Sequence, residues 1–337
     1  MDEPYRLIGE LSSPYTVKLR GVMRYRRLPY VFQIRTPAVA AELQRLQPAL
    51  VPVLQFPEDG SLHVDSTPLI YLLERRHPGR RSVVPGDPGL ALLAHLLEDL
   101  ADEWITKCMF HYRWQTPQDG AFAARWLEAS HRPGQSDAQL RDHMADFTER
   151  QVSRLALVGC TEENRPLIEG TFRRLLAILE RHVTTVGDFL FGTRPSLAEF
   201  ALLGQLYPMS LDPTPMALMR ETAPFTYLWV ERMGDTSGVE GTWRGAEEPH
   251  PPAVVDLLRM AGTYYLPFLQ ANARALANGE PMVEVTLDGQ PFRQGAFKYQ
   301  GKCLKWLREE LASLSPGPQG RIEPLLRETG CWESLAG

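Results

Sequence analysis

The chain has 337 residues, too many for one small module and suited to two packed domains with additions. Hydrophobic residues make up 44% of it and charged residues 23%, a composition that excludes a disordered or fibrous protein. The formal net charge is −5, so the molecule as a whole is not a general nucleic-acid binder.

The N-terminus and the cysteines of the chain favour a cytoplasmic protein. The acidic N-terminus lacks the apolar core of a secretory signal, and no apolar run reaches the length of a membrane span. No pair of cysteines has the CxxC spacing of redox and metal sites, which fits a reducing compartment. The four cysteines are Cys108, Cys160, Cys303 and Cys331. We therefore expect a cytoplasmic location and no membrane partner.

Charge is divided unevenly along the chain. The first 85 residues carry 12 Lys and Arg against 8 Asp and Glu, whereas the remainder carries 24 against 33. A basic first domain on an acidic body favours a small anionic ligand in that domain. A solvated helix face at residues 18–27 explains the same charges.

The first 85 residues predict a small sheet layered with helices in the order βαβαββα. Apolar runs bounded by turn residues predict strands at Tyr5–Gly9, 30–35, 51–54 and Leu62–Val64. Helical periodicity predicts helices at 13–27, 37–47 and Ser66–Arg76. Ser66 is expected to cap the last of these helices.

From residue 87 onward the pattern becomes helical. Amphipathic segments predict helices at 89–114, 121–130, 137–158, 165–186, 225–233, 253–278 and 299–314. Ser196 and Glu199 form a capping box that begins a further helix, ending near Tyr207. Residues 234–252 are expected to form a linker or long loop, and the alternation at 283–287 predicts a small hairpin. We expect an α/β domain at 1–85, an all-helical domain at 88–235 and a mostly helical extension at 236–337.

The segment between the first strand and the first helix carries the most informative chemistry. Ser13-Pro14-Tyr15-Thr16 has the form of a Cys-Pro-Tyr-Cys redox motif with hydroxyls in place of both sulfurs. A helix N-terminus stabilises an anion, and a hydroxyl can donate a hydrogen bond to a thiolate. The segment can therefore hold the thiolate of a bound thiol without cycling a disulfide of its own. A serine that simply caps a helix is the plainer interpretation.

Two further segments fit a small peptide ligand. A cis bond at Val51-Pro52 would turn the backbone of Val51 outward to pair with an extended peptide, although a trans proline on an edge strand is the alternative. Asp65-Ser66 lies at a strand-to-helix junction. Ser66 and the free N–H groups can bind a carboxylate there, while Asp65 can face an ammonium group. Helix capping alone also explains the pair.

The order and spacing of these segments resemble the glutathione transferase family, in its serine- or cysteine-type, bacterial-like form. The resemblance covers residues 5–85 well and continues more loosely over 89–114 and 165–233. Within the second stretch, Gly192-Thr193-Arg194-Pro195-Ser196-Leu197-Ala198-Glu199-Phe200 looks like the family's capping segment. The resemblance implies a thioredoxin-like N-terminal domain followed by an all-α domain, here with an apparent insertion at 117–160 and a C-terminal extension.

The resemblance also implies roles for individual residues. Ser13 matches the thiol-activating position of the cysteine-type members and Ser12 that of the serine-type members, and we favour Ser13. The backbone of Val51 would pair with the cysteinyl part of glutathione, and Asp65 with Ser66 would bind its γ-glutamyl end. The implied glutathione-binding residues are Tyr15, Val51, Pro52, Asp65 and Ser66.

The chain departs from the family pattern just before Val51. Many members place Gly and then Lys or Gln there to hold the glycyl carboxylate, whereas this chain has Ala49 and Leu50. Leu50 cannot pair with a carboxylate, so that end of glutathione must be held otherwise or weakly.

The helix predicted at 89–114 would face the second substrate between the two domains. Its candidate substrate residues are Trp104, Cys108, His111 and Tyr112. They follow an acidic cluster made of Glu98, Asp99, Asp102 and Glu103. Helical spacing gives either an aromatic wall with polar handles or, alternatively, buried core aromatics beside solvated acids.

We therefore expect a glutathione transferase-like enzyme with glutathione as cosubstrate. It would activate the glutathione thiol for attack on a small hydrophobic electrophile or for glutathione-dependent reduction. The absence of HExxH and HxH patterns predicts no metal. By resemblance we expect a homodimer. The alternative is a non-catalytic binding or scaffold protein on the same fold.

Overall fold

The computed structural model of the protein describes residues 3–44, 46, 50–79 and 81–337. Its N-terminal part is a four-stranded mixed sheet with three helices. The strands are β1 (Tyr5–Gly9), β2 (Tyr30–Ile34), β3 (Val53–Gln55) and β4 (Leu62–Val64). The helices are α1 (Pro14–Tyr25), α2 (Pro37–Glu42) and α3 (Ser66–Arg76). The predicted order βαβαββα is confirmed.

The central strand of this sheet is β1. The spatial order is β2-β1-β3-β4, with β1 parallel to β2 and antiparallel to β3. Successive side chains of a strand face opposite sides, so Leu7 enters the main core while Ile8 packs with Val39 of α2 and Val53 of β3. Both faces of the sheet are therefore covered.

Several boundaries in this part differ from the sequence expectations. The helix α2 ends at Glu42 rather than at 47, a residue outside the described ones, and β3 begins at Val53 rather than at 51. The expected cap by Ser66 is wrong: Asp65 is the N-cap residue of α3, without a side-chain capping bond, and Ser66 is the first helical residue.

The next part is helical, as predicted. Its helices are α4 (Pro88–Leu100), α5 (Thr106–Trp114), α6 (Pro117–His131), α7 (Asp137–Val152), α8 (Arg165–Thr185), α9 (Leu197–Met209), α10 (Pro213–Thr222) and α11 (Pro224–Met233). A π-helical turn at Ala101–Ile105 joins α4 to α5, so the helix predicted at 89–114 is widened in its middle. The capping box of Ser196 and Glu199 at the start of α9 is confirmed.

The C-terminal part adds five helices and a hairpin. The helices are α12 (Pro252–Met260), α13 (Leu266–Asn278), α14 (Lys298–Ser313), α15 (Pro316–Glu328) and α16 (Trp332–Ala336). A second π-helical turn, Ala261–Tyr265, joins α12 to α13. The predicted hairpin is present as β5 (Met282–Leu287) paired with β6 (Gln290–Gly295).

Three helices were not predicted from the sequence, namely α10, α15 and α16. In α10 only Pro215 and Met219 are buried, and in α15 only Ile322 and Leu326. Two buried residues leave too little apolar periodicity to be recognised.

The segment expected to be a linker is fixed to the rest of the molecule. The guanidinium of Arg81 donates hydrogen bonds to the carbonyls of Val239 and Ser237, at 2.9 and 3.1 Å. Trp243 forms a β-bridge with Gly192. Among the described residues no helix is long and apolar enough to cross a membrane.

One apolar core runs through all three predicted domains. It contains Leu7 of the sheet, Phe172 of α8 and Phe268 of α13. The division into domains at 1–85, 88–235 and 236–337 stays a prediction, because the three segments share this core.

Candidate functional site

The junction of β1 and α1 presents Ser13 at a helix N-terminus. Ser13 is the N-cap of α1, and its Oγ accepts a hydrogen bond from the Thr16 N–H at 3.3 Å. Within the described part of the chain no acceptor takes the hydroxyl hydrogen of Ser13, which is therefore available to an anion. The side chain is half-buried.

Ser12, the other candidate, is held differently. Its residue is only 2% exposed, and its carbonyl accepts a hydrogen bond from the Arg113 guanidinium at 3.1 Å. Arg113 also pairs with Asp212 at 2.8 Å. The bond from Arg113 thus anchors the loop between β1 and α1 to α5 through Ser12. Ser13 instead caps the N-terminus of α1.

Tyr15 turns toward the helical part of the molecule. Its hydroxyl donates a hydrogen bond to the Asp102 carbonyl in the π-helical turn, at 3.1 Å. That bond links α1 to the π-helical turn, so the hydroxyl already has a partner within the protein.

The peptide bond between Val51 and Pro52 is cis, as expected. Val51 is half-buried and lies just before β3. Leu50 is 57% exposed, and Ala49 lies outside the described residues.

The β4–α3 junction holds the acidic residue of the candidate site. Asp65 has φ 77° and ψ 110°, a backbone conformation that non-glycine residues rarely adopt and that is often found at functional sites. The Tyr299 hydroxyl of α14 lies 3.0 and 2.9 Å from the two carboxylate oxygens of Asp65. Burial raises the pKa of Asp65, and the Tyr299 hydrogen bond opposes that rise. Ser66 beside it is buried.

A buried ion cluster lies beneath these two junctions. Lys18 of α1 pairs with Glu98 and with Asp102, at 2.6 Å to the latter, and donates to the Thr67 hydroxyl at 2.9 Å. Asp99 accepts a hydrogen bond from the Tyr265 hydroxyl at 2.7 Å. The cluster joins α1, α3, α4 and the second π-helical turn.

The alternative expectation that the acids on the predicted 89–114 helix are solvated is wrong. Glu98, Asp99, Asp102 and Glu103 are between 1% and 8% exposed. Burial raises the pKa of Asp99 to about 6 and that of Glu103 well above its ordinary value. Lys18, Tyr265 and Gln300 supply the partners that such burial requires.

The predicted substrate residues are also buried, which fits the alternative that they are core aromatics. Trp104, Cys108, His111 and Tyr112 are between 1% and 6% exposed. Trp104 packs against Phe292 with ring centroids 5.3 Å apart, and the Cys108 thiol donates to the Ile168 carbonyl at 3.4 Å. His111 pairs with Glu169 at 3.3 Å. A role in substrate binding stays a prediction for these four residues.

Comparison with known families identifies the N-terminal part. Residues 7–81 match the family model described as glutathione S-transferase, N-terminal domain. These residues are a domain of the glutathione S-transferase family. The expected thioredoxin-like domain followed by a mostly helical part is confirmed.

Solved structures similar to the chain include a β-etherase and several proteins described as glutathione S-transferases. The β-etherase LigF from Sphingobium sp. strain SYK-6 is 17% identical, with 77% of this chain and 100% of that chain covered and a TM-score of 0.48. A glutathione S-transferase from Methylobacterium radiotolerans, in complex with glutathione sulfonate, is 20% identical, with coverages of 73% and 100% and a TM-score of 0.45. A search of curated protein sequences gives no significant match.

A cavity of about 330 Å³ lies between the glutathione S-transferase domain and the helices α6 and α7. It begins one turn from Ser13, whose N–H donates to the Glu10 carbonyl at 3.2 Å. Its charged lining residues include Glu10, Arg35, His131, Arg132 and Arg150. Burial lowers the pKa of His131, but the hydrogen bond and the charge of Glu10 raise it. The net effect is a pKa above the ordinary value. This lining differs from the apolar surface that a hydrophobic electrophile requires.

The sequence analysis did not identify two residues that contact the β1–α1 and β4–α3 junctions from other parts of the chain. Arg113 reaches the Ser12 carbonyl from α5, and Tyr299 reaches Asp65 from α14. Tyr299 is 234 residues away from Asp65 in the chain. No local motif connects residues so far apart, so only the folded chain shows these contacts.

Proposed function

We propose that the protein binds glutathione in its N-terminal domain and activates the thiol of that peptide. The observation that carries the proposal is Ser13, a half-buried N-cap within a glutathione S-transferase domain whose hydroxyl hydrogen is free for an anion. The hydroxyl and the positive end of α1 both favour a thiolate over a thiol.

The remaining contacts proposed for glutathione follow from the two other junctions. Val51 beside cis Pro52 offers its backbone to the cysteinyl part of the peptide. Ser66 and the first N–H groups of α3 offer donors to the γ-glutamyl carboxylate, and Asp65 offers an acceptor to its ammonium group.

Transfer of the thiolate to an electrophile, or glutathione-dependent reduction, is the proposed reaction. The thiolate sulfur would attack the electrophilic atom of the second substrate, and the group displaced from that atom, or the bond opened there, would take up the electron pair. The homodimer and the cytoplasmic location stay predictions.

The function is tested by glutathione binding and by two serine variants. Glutathione should raise the melting temperature of the wild-type protein by mass action. Ser13→Ala should raise the pKa of the bound thiol by about 1–2 units, because a hydrogen bond to a charged group contributes about 1.5–3 kcal/mol. The thiolate is measured by its ultraviolet absorbance as a function of pH.

Matched variants separate activation from helix capping. Ser13→Thr retains both the cap and the donor, so it should retain the low thiol pKa. Ser12→Ala should leave the thiol pKa unchanged, since Ser12 is held through its backbone carbonyl. A rise in the thiol pKa in Ser12→Ala but not in Ser13→Ala would assign activation to Ser12. An unchanged thiol pKa in both variants would remove both residues from the mechanism.

A non-catalytic scaffold is the second candidate. The burial of the predicted substrate residues and the exposed Leu50 favour it. If millimolar glutathione leaves the melting temperature unchanged, the scaffold is the better description.

A further inference from the structure

Tyr299 brings the C-terminal extension to the candidate glutathione site. It lies in the first turn of α14, and its hydroxyl is within hydrogen-bonding distance of both carboxylate oxygens of Asp65, at 3.0 and 2.9 Å. The Tyr299 ring packs edge-on against Trp306, with centroids 6.1 Å apart and an interplanar angle of 89°. This ring contact supports the side chain in the position in which its hydroxyl meets Asp65.

The helix that carries Tyr299 is itself firmly anchored. Gln300 donates a hydrogen bond to Glu103 at 3.2 Å, and Leu304 and Leu307 are buried in the main core. Tyr299 therefore belongs to a helix whose position is fixed by packing in the core.

Asp65 forms no direct ion pair with a residue that the structure describes, although the charge of Lys18 acts on it from farther away. The nearby Lys18 is occupied by Glu98, Asp102 and the Thr67 hydroxyl. The Tyr299 hydroxyl is the side-chain donor that the structure gives to Asp65. A carboxylate has about four lone-pair sites, so Asp65 can still accept hydrogen bonds from an ammonium group.

We propose that Tyr299 is a positioning residue for the amine of the γ-glutamyl group, acting through the carboxylate of Asp65. The inference rests on the proposed function and deepens it, because it assigns a part of the glutathione site to the extension. The hydroxyl orients the carboxylate and stabilises its charged form, so that the carboxylate meets the ammonium group in place. The extension thereby makes the site selective for peptides that carry a free amine.

The test compares glutathione with its desamino analogue, in which hydrogen replaces the γ-glutamyl amine. In Tyr299→Phe we expect the Kd for glutathione to rise roughly three- to tenfold, which is less than for the direct loss of a hydrogen bond to a charged group because Tyr299 acts through Asp65. The Kd for the desamino analogue should be unchanged, because that ligand offers Asp65 no cation. In turnover assays the variant should raise KM for glutathione and leave kcat unchanged, as for a uniform loss of binding.

Two further variants identify Asp65 as the intermediary and control for folding. In an Asp65→Asn background, Tyr299→Phe should have no additional effect on the Kd for glutathione. Tyr264→Phe is the matched control, because it also removes a hydroxyl bonded to a carboxylate, that of Asp288 at 2.8 Å, elsewhere in the extension. Tyr264→Phe should leave both affinities unchanged.

The outcomes separate the inference from the function on which it rests. If the wild-type protein does not bind glutathione, the proposed function fails and the inference fails with it. If the wild-type protein binds glutathione but Tyr299→Phe binds it equally well, only the inference is overturned. An equal loss of affinity for glutathione and for the desamino analogue would also overturn it, since a general disturbance of the site would then be the cause.

Discussion

Lys18 connects the helices that begin at the two junctions of the candidate site, α1 and α3. It is fully buried and contacts Glu98, Asp102 and Thr67. Burial opposes its charge, but the two carboxylates raise its pKa overall, so the ammonium group stays charged. A single side chain thus connects α1, α3 and α4.

Removing Lys18 should strongly destabilise the protein. In Lys18→Met two buried carboxylates lose their cation, and we expect the free energy of unfolding to fall by about 3–5 kcal/mol in urea titrations. Arg125→Met is the control, since Arg125 and Asp137 form a pair with side chains 63% and 61% exposed. The control should lose less than about 1 kcal/mol. Equal losses in the two variants would show that the buried cluster is not a stabilising contact.

His95 should make the stability of the protein depend on pH above neutrality. Burial opposes protonation of His95, but Glu310 and Glu98 raise its pKa to about 9. The group is protonated below the unfolded pKa of about 6.5, so its contribution is complete there and is lost as the pH rises through about 9.

The loss should be on the order of 3 kcal/mol between about pH 6.5 and about pH 9.5, from the size of the pKa difference. It is measured by urea unfolding at both pH values. His95→Gln should remove most of this dependence, whereas the exposed His143→Gln should retain it. A wild-type protein equally stable at both pH values would contradict the assignment.

At the level of single elements, the sequence predicted what local pattern determines. An apolar run that ends in glycine located β1, helical periodicity located α3 and a capping pair located α9, because each of these signals lies within a few residues of the chain. The π-helical turns were not predicted, since an inserted residue alters the hydrogen bonding and not the composition.

The candidate site was predictable in part for the same reason. Ser13, Pro52 and Asp65 lie in short motifs at junctions, and the sequence located all three junctions. It could not predict that Asp65 meets Tyr299, or that the acids beside Trp104 are buried, because both depend on packing between distant segments.

Asn164 holds the hairpin of β5 and β6 against the start of α8. Its amide nitrogen donates to the carbonyls of Gly159 and Arg293, both at 2.7 Å, and its oxygen accepts from the Arg293 N–H. Asn164→Ala leaves buried backbone groups unpaired and should cost about 3 kcal/mol of unfolding free energy, measured in urea.

Asn278→Ala provides the comparison for Asn164. Asn278 is exposed and bonds to Glu280 at 3.1 Å. The change should alter the unfolding free energy by less than about 0.5 kcal/mol. If Asn164→Ala is equally mild, the hairpin is held by its apolar contacts and not by the amide.

At the scale of the whole molecule, the extension completes the core. Trp104 packs between Tyr264, Phe268 and Phe292, all of which belong to residues 236–337. The Gly262 backbone approaches the end of α15 so closely that an added Cβ would lie 2.1 Å from the Thr329 carbonyl oxygen. The extension is therefore packed like a core element.

A chain that ends at residue 235 should not fold as a stable unit. Removal of the extension exposes Trp104 and its apolar neighbours, and a large exposed apolar surface leads to aggregation. Calorimetry should show no cooperative transition for residues 1–235, while the full chain melts cooperatively. A shortened chain that melts at the temperature of the full chain would instead establish an independent unit.

The four cysteines have a practical consequence for work on the folded protein. All are buried, and burial raises the pKa of Cys160 and Cys331 to about 12 and raises that of Cys108 and Cys303 further. A maleimide dye should therefore find no reactive site on the native chain, because only an accessible thiolate is alkylated. In an assay that measures thiols, the signal from the native protein should then come from added glutathione alone. The rate at which a maleimide dye labels the cysteines would report the rate of unfolding.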